Sequence, residues 1–410
     1  MKCGSLPVRS LSLFSCGLIL LVAVACLTAS EPAGAVAFDP AIAPYVKFLK
    51  DHPVDAKKYI LDLYKTNDVV VLAERDHQET TQWDFIFDLT RDPEFTARVG
   101  YLFTEYGSVD QQADMDAFLR TETADDKRII ALLRDFVIWP SGWDNNNLFE
   151  FIRKFHAWNR SQSPERRLTW CFCDIPWNWP GLTKAEYKSR LDLAQAGRDE
   201  IMALRIRYKL EEIRASAVPR KKALVIVNTR HAFKVPLKKG DVFYYENLGS
   251  ALARWQPTAG RTAYVMMHYV HGVRPGSDGL SKAPIHDGKW DAAFAACGNL
   301  QTAVSFHDSP FGQDSFDYLG FAPMQMRYRD VFDGMIFDCP LERHRLHNDI
   351  PGFYDDVFRA KVLERAQLNG SVDEIKALFR ERQEHPERFQ ARPAYDPREL
   401  QPIARWLTKR

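Results

Sequence analysis

"VVVLAERDHQETTQWDF", residues 69–85, is the stretch on which the reading of this chain turns. Val69, Val70, Val71 and Leu72 form an apolar, β-branched run with no polar face, as expected of a strand buried on both sides. The run ends in Ala73, Glu74, Arg75, Asp76 and His77, and an amphipathic pattern follows. Asp76 and Glu79 have capping-box spacing, so Asp76 reads as the cap of a helix that starts at His77. Its buried stripe would be Trp83, Ile86 and Phe87. A buried strand, a short polar turn and a helix make the repeating unit of a parallel α/β sheet. In such sheets ligands bind beyond the carboxyl ends of the strands, where Glu74 and His77 would lie.

Six further apolar runs extend the pattern: "VGYLFTE" (99–105), "RLTWCFCD" (167–174), "KALVIVN" (222–228), "TAYVMMHYV" (262–270), "TAVSFH" (302–307) and "GMIFDCP" (334–340). Helical signals run over 41–65, over 183–217 and from about 355 onward. The fold class expected is α/β, a mostly parallel central sheet with crossover helices, an active site at the carboxyl ends of the strands and a helical C-terminal cap. The expected organisation is an export leader over 1–29, an α/β domain over 38–350, and a helical extension over 351–410 packed on that domain.

The chain has 410 residues, 46% of them hydrophobic and 27% charged, with a net charge of +1. That balance offers no basic excess for nucleic acid or an anionic membrane. At the N-terminus, Lys2 and Arg9 precede the apolar "LSLFSCGLILLVAVAC". This is an export signal by composition, too short for a membrane span. Two processing routes compete: Ala23, Val24 and Ala25 before Cys26 resemble a lipobox, with Cys26 lipidated, and small-residue sites over 28–35 suit ordinary cleavage. The protein is expected in the periplasm or cell envelope, touching the membrane only through a lipid on Cys26. Beyond the leader stand Cys171, Cys173, Cys297 and Cys339. Cys171 and Cys173 share one strand face and read as buried free thiols.

The strand ends deliver titratable groups. The first run gives Glu74 and His77, the second Glu105, the third Asp174, the fourth Asn228, Arg230 and His231, and the sixth His307 and Asp308. His156, His344 and His347 read as surface or packing residues. There is no Gly-x-Ser-x-Gly elbow and hence no support for a serine nucleophile.

These residues carry a resemblance. "AERDH" is similar to the strand-Gly-Glu-x-x-His motif of the erythromycin esterase-like superfamily. "LFTEYG", Trp143 with "LFEFIRKFHAWNR", "CFCD", and Asn228-Thr229-Arg230-His231 followed by "ENLGSALARW" resemble its later motifs in order. The superfamily also contains haem-uptake lipoproteins and is distantly similar to secreted metalloproteases of Wnt regulation. The likeness spans residues 66–270 and, more loosely, to 340. Ala73, Asn228 and Arg230 depart from the family pattern.

The resemblance implies a hydrolase acting on an ester, lactone or related bond of a small-molecule or envelope substrate. His77 would be the general base on water, with Glu74 orienting it and Glu105 and His231 flanking the substrate. Arg75 or Arg230 would stabilise an oxyanion, and Asp174 and His307 complete the substrate-binding set. No cofactor is expected. Two alternatives stand beside this reading: a divalent metal on Glu74, His77, Glu105 and His231, and a haem- or ligand-binding lipoprotein using "FYYEN" (243–247) or "MMHYVHG" (266–272).

Overall fold

All seven apolar runs are strands of one sheet. The computed structural model describes residues 37–136, 139–239, 242–270, 272–276, 279–318 and 326–407, so the leader and Cys26 lie outside the described residues. The strands are β1 (Val69–Glu74), β2 (Val99–Ser108), β3 (Thr169–Asp174), β4 (Lys222–Asn228), β5 (Thr262–Met267), β6 (Thr302–Ser305) and β7 (Gly334–Phe337). Their order is β6-β7-β5-β1-β4-β2-β3. Every neighbouring pair runs parallel except β6 with β7.

The near-continuous apolar runs follow from the two layers that cover the sheet. Val69, Val71 and Ala73 of β1 join Phe103, Val225 and Val227 in one apolar layer. Val70 and Leu72 join Leu102, Leu224 and Ile226 in the other. A strand buried on both faces has no position for a polar residue until it ends. The C-terminal helices Asp356–Asn369 and Val372–Glu384 contribute Phe358, Val362, Ala366 and Ile375 to the second layer. No helix among the described residues is long and apolar enough to cross a membrane. Cys171 and Cys173 are buried free thiols of the first layer.

The strand order decides what can meet. The chain enters at β1 in the middle of the sheet, moves outward to β2 and β3, then inserts β4 between β1 and β2. The carboxyl ends of β1, β4, β2 and β3 are therefore side by side, although they are far apart in sequence. The antiparallel β6 breaks the pattern. Ser305 pairs with Gly334, the first residue of β7, so the chain leaves β6 at the amino-terminal edge of the parallel strands. His307 follows there, exposed and 3.5 Å from Asp333. The expectation that His307 lines the site is corrected: strand direction was not legible in the run "TAVSFH".

The turn after β1 also differs from expectation. The helix that follows, α1, spans Thr81–Thr90, so neither Asp76 nor His77 lies on it. Its first turn is capped by Glu79, whose carboxylate accepts from the Thr81 and Gln82 backbone N–H groups at 2.9 and 3.0 Å. Trp83 and Ile86 are buried as expected, with Phe85 and Leu89, while Phe87 is only half-buried.

Arg75 fixes this turn. Its side chain is fully buried, 3.2 Å from Glu79, with Asp338 beyond the end of β7 as its second carboxylate. One ring nitrogen of His344 lies 2.6 Å away. The guanidinium thus ties β1, the capping residue and the C-terminal segment together, and it is not a substrate ligand. His344, taken as a surface or packing residue, is buried, and burial with the Arg75 charge holds its pKa well below the ordinary value.

Removing one partner of a buried pair leaves the others uncompensated. Arg75→Leu is expected to destabilise the protein by about 3–5 kcal/mol in denaturant unfolding. Leu89→Ala should cost about 2–5 kcal/mol, and Phe87→Ala less than Leu89→Ala, because Phe87 is half-exposed. A cost at Arg75 within about 0.5 kcal/mol, the range of ordinary surface changes, would contradict the anchoring role.

Candidate active site

The line of strand ends β1-β4-β2-β3 carries Glu74, Asn228 with His231, Glu105 and Asp174 in that order. Two cross-links hold the ends of β1 and β4 in step. Thr229 Oγ donates to the Glu74 carbonyl at 2.7 Å, and the Asn228 amide donates to the Arg75 carbonyl at 2.9 Å. Ligand atoms of Glu74, His77 and Glu105 lie within 4.8 Å of one another. His231 Nε2 is 3.5 Å from Glu105.

Glu74 belongs to the layer of Val70 and Leu72 and is fully buried. A buried carboxylate needs donors, and four side chains supply them. Trp83 Nε1 donates at 3.0 Å, Gln82 Nε2 at 3.4 Å, and the Tyr106 hydroxyl completes that side. His77 Nδ1 lies 3.1 Å from the other oxygen. Burial raises the Glu74 pKa above the ordinary carboxylate value, although its contacts with His77 pull the other way. At His77 burial opposes the imidazolium, but the charge and hydrogen bond of Glu74 overcome it and hold the pKa above the ordinary value. The ring is wedged edge-on against Trp143 and Tyr106, at centroid distances of 4.7 and 5.3 Å. Asn147 and Asn145 donate to the His77 carbonyl at 2.8 and 3.4 Å, so the turn itself is held in place.

Glu105 enters from the other layer. One oxygen accepts from the Asn228 backbone N–H, and the other faces Arg198 at 3.4 Å. Burial alone would raise its pKa, but His231, His77, Arg198 and the Asn228 N–H outweigh that and bring it down to about 2. Arg198 also makes a two-pronged pair with Asp174, at 2.7 and 2.9 Å. Asp199 Oδ1 stands 2.6 Å from His231 Nδ1. Both residues come from the long helix Lys184–Ala215, which leaves helical geometry at Gly197. A kink at glycine lets two consecutive residues of one helix turn toward the strand ends.

The expected residues thus divide. Glu74, His77, Glu105 and His231 come together, and Asp174 joins them through Arg198. Arg230 is exposed at the rim, its Nε 3.4 Å from His231. Arg75 and His307 do not join. Sequence reading missed Tyr106, Trp83, Asn147, Arg198 and Asp199. The signal for the last two was Gly197 inside a charge-laced helix. His268, a candidate haem ligand, is fully buried against Asp291 at 2.7 Å, and His271 and the side chains of 243–245 lie outside the described ones. A cleft of about 670 Å³ opens beside Arg207, Arg254 and Trp255, and none of the clustered groups lines it.

No family model and no curated protein matches the chain. Among solved structures it is similar to a Bacillus cereus protein at 11% identity and a TM-score of 0.47, over 71% of this chain and 95% of that one. It is similar to an erythromycin esterase mutant in its open conformation at 11% identity and a TM-score of 0.46, over 70% and 96%. A succinoglycan biosynthesis protein aligns at 10% identity and a TM-score of 0.47, over 71% and 95%. The likeness is one of fold, and the chemistry has to be read from the site.

Glu105 gives that reading a physical handle. Its folded pKa of about 2 lies below the ordinary carboxylate value, so its stabilising charge is fully present above the unfolded pKa of about 4.5 and is lost as pH falls through about 2. Unfolding free energy should therefore drop between about pH 4.5 and 2, with a slope steeper by up to about 1.4 kcal/mol per pH unit than in Glu105→Gln. Parallel denaturant titrations of the two proteins measure it, and equal slopes would show that Glu105 is not held ionised.

Proposed function

We propose that the protein is a hydrolase that activates water with His77 to cleave an ester, lactone or related bond. The observation that carries this is the pairing of two imidazoles with separate carboxylates, His77 with Glu74 and His231 with Asp199, on either side of Glu105. Two such pairs facing each other suit a reaction that removes one proton and delivers another.

In this reading His77 takes a proton from water as the oxygen attacks the substrate carbonyl. Glu74 stabilises the imidazolium that forms. Collapse of the tetrahedral intermediate breaks the carbonyl–oxygen bond, and the leaving oxygen receives a proton from His231, which is flanked by Asp199 and Glu105. Arg230, exposed beside His231, is the group available to the oxyanion. Arg198 is committed to Asp174 and Glu105, so it shapes the site without being free for an anionic substrate. We also read the enzyme as exported, meeting a small-molecule or envelope substrate, on the strength of the leader; intact-mass measurement from native membranes tests this, with a lipidated Cys26 as one form.

A divalent metal is the second reading, favoured by the 4.8 Å grouping of Glu74, His77 and Glu105. The hydrogen bonds weigh against it. Both Glu74 oxygens accept from protein donors, His77 Nδ1 is engaged, and Glu105 accepts from Asn228 and Arg198. A metal would have to displace these partners. Chelation is expected to leave turnover unchanged and the protein to contain less than stoichiometric metal; loss of turnover restored by a divalent cation would reverse the assignment.

The decisive variant is His77→Ala. It should lower hydrolysis of a panel of esters and lactones by about 100- to 10,000-fold. In the parent the acidic limb of kcat/KM should have its midpoint above about 6.5, because Glu74 raises the His77 pKa and only the neutral ring can accept a proton. Undiminished turnover in His77→Ala would remove the base from the mechanism.

A further inference from the structure

We propose that Tyr106 is a positioning residue for this reaction: its hydroxyl, held between Glu74 and His77, fixes the imidazole as the Nδ1–H tautomer and leaves Nε2 bare as the base. The inference rests on the hydrolase reading for the step it serves, whereas the tautomer is a property of the resting protein.

The geometry carries the argument. Tyr106 is fully buried. Its hydroxyl contacts Glu74 Oε1, lies 2.9 Å from His77 Nδ1, and is 3.3 Å from the His77 carbonyl. A phenol has one hydrogen and can also accept. The hydrogen goes to the charged acceptor, the Glu74 carboxylate, where the bond is strongest. The phenol oxygen is then an acceptor toward Nδ1. The other neighbour of Nδ1 is the second oxygen of Glu74, at 3.1 Å, also an acceptor. With acceptors on both sides, Nδ1 has to carry the proton, and the lone pair of a neutral ring resides on Nε2.

The hydroxyl is suited to the task in two ways. Burial, with the Glu74 charge added, drives its pKa well above the ordinary phenol value, so it stays protonated and does not compete as a base. Its ring is boxed by Trp143 and Trp83 at centroid distances of 4.6 and 5.5 Å. Trp143 also packs on His77, so the same aromatic wall restrains both partners. Tyr106 reaches this position because β2 delivers consecutive side chains to opposite layers. Glu105 goes to the His231 side and Tyr106 to the Glu74 side, and both arrive at the one strand end.

Nitrogen NMR of protein labelled at histidine tests this directly. In the parent, His77 above its pKa is expected to show a protonated Nδ1 and an unprotonated Nε2. In Tyr106→Phe, with one of the two acceptors on Nδ1 gone and Glu74 Oε2 kept, the Nε2–H tautomer should gain population relative to the parent. There kcat should fall by up to about 100-fold, the loss typical of a misaligned catalytic group, and KM should stay within about twofold because substrate contacts are kept. A parent spectrum with the proton on Nε2 would overturn the proposal whatever the variant does. So would an unchanged tautomer and unchanged kcat in a folded Tyr106→Phe protein. If the parent hydrolyses none of the panel, the hydrolase reading fails while the spectrum still decides the tautomer.

Discussion

A carboxylate buried without water has to be surrounded by donors, and Glu74 at the end of β1 imposes that demand on everything around it. Trp83 reaches it from α1, Tyr106 from β2, and His77 from the turn between β1 and α1. Each of those elements must be in register for its donor to arrive. The turn is held by Arg75, Glu79 and Asn147, none of which need touch a substrate. The central strand, its helix and its turn are thus positioned by one buried charge. The cost of burying it is offset by four hydrogen-bond partners, one of them the His77 imidazole, which carries the opposing charge when protonated.

The second half of the site obeys a different rule. Glu105, Asp174 and Asp199 share Arg198, His231 and a backbone N–H, which keeps Glu105 ionised far into the acid range. Glu74 is pushed the other way by burial. Carboxylates whose environments move their pKa values apart, each beside its own histidine, are the arrangement acid–base chemistry asks for.

Much of this was legible in the sequence, for a physical reason. Strands buried on both faces leave long apolar runs, so all seven could be found and their ends read for Glu74, His77, Glu105, Asp174 and His231. What failed was information that a run of residues does not contain. Direction along the sheet is one case: β6 is antiparallel, and its end carries His307 away from the site. Local geometry is another: the polar turn 75–80 keeps Asp76 and His77 off the helix, and Glu79 caps it. Arg75 read as a group for the oxyanion because burial of a guanidinium depends on Asp338, more than 260 residues away. Arg198 and Asp199 hid among the many charges of their helix, and only the break at Gly197 brings them inward.

The two apolar layers cover opposite faces of the sheet, and the site draws His77, Glu74 and Tyr106 from one and Glu105, His231 and Asp199 from the other. Cooperativity is therefore written into the chemistry. A local opening of either layer removes one histidine–carboxylate pair while the other remains folded, so catalytic competence requires both layers to be intact at the same instant. Heat or denaturant should silence such a protein at the first sub-global opening, before the bulk of its secondary structure is lost.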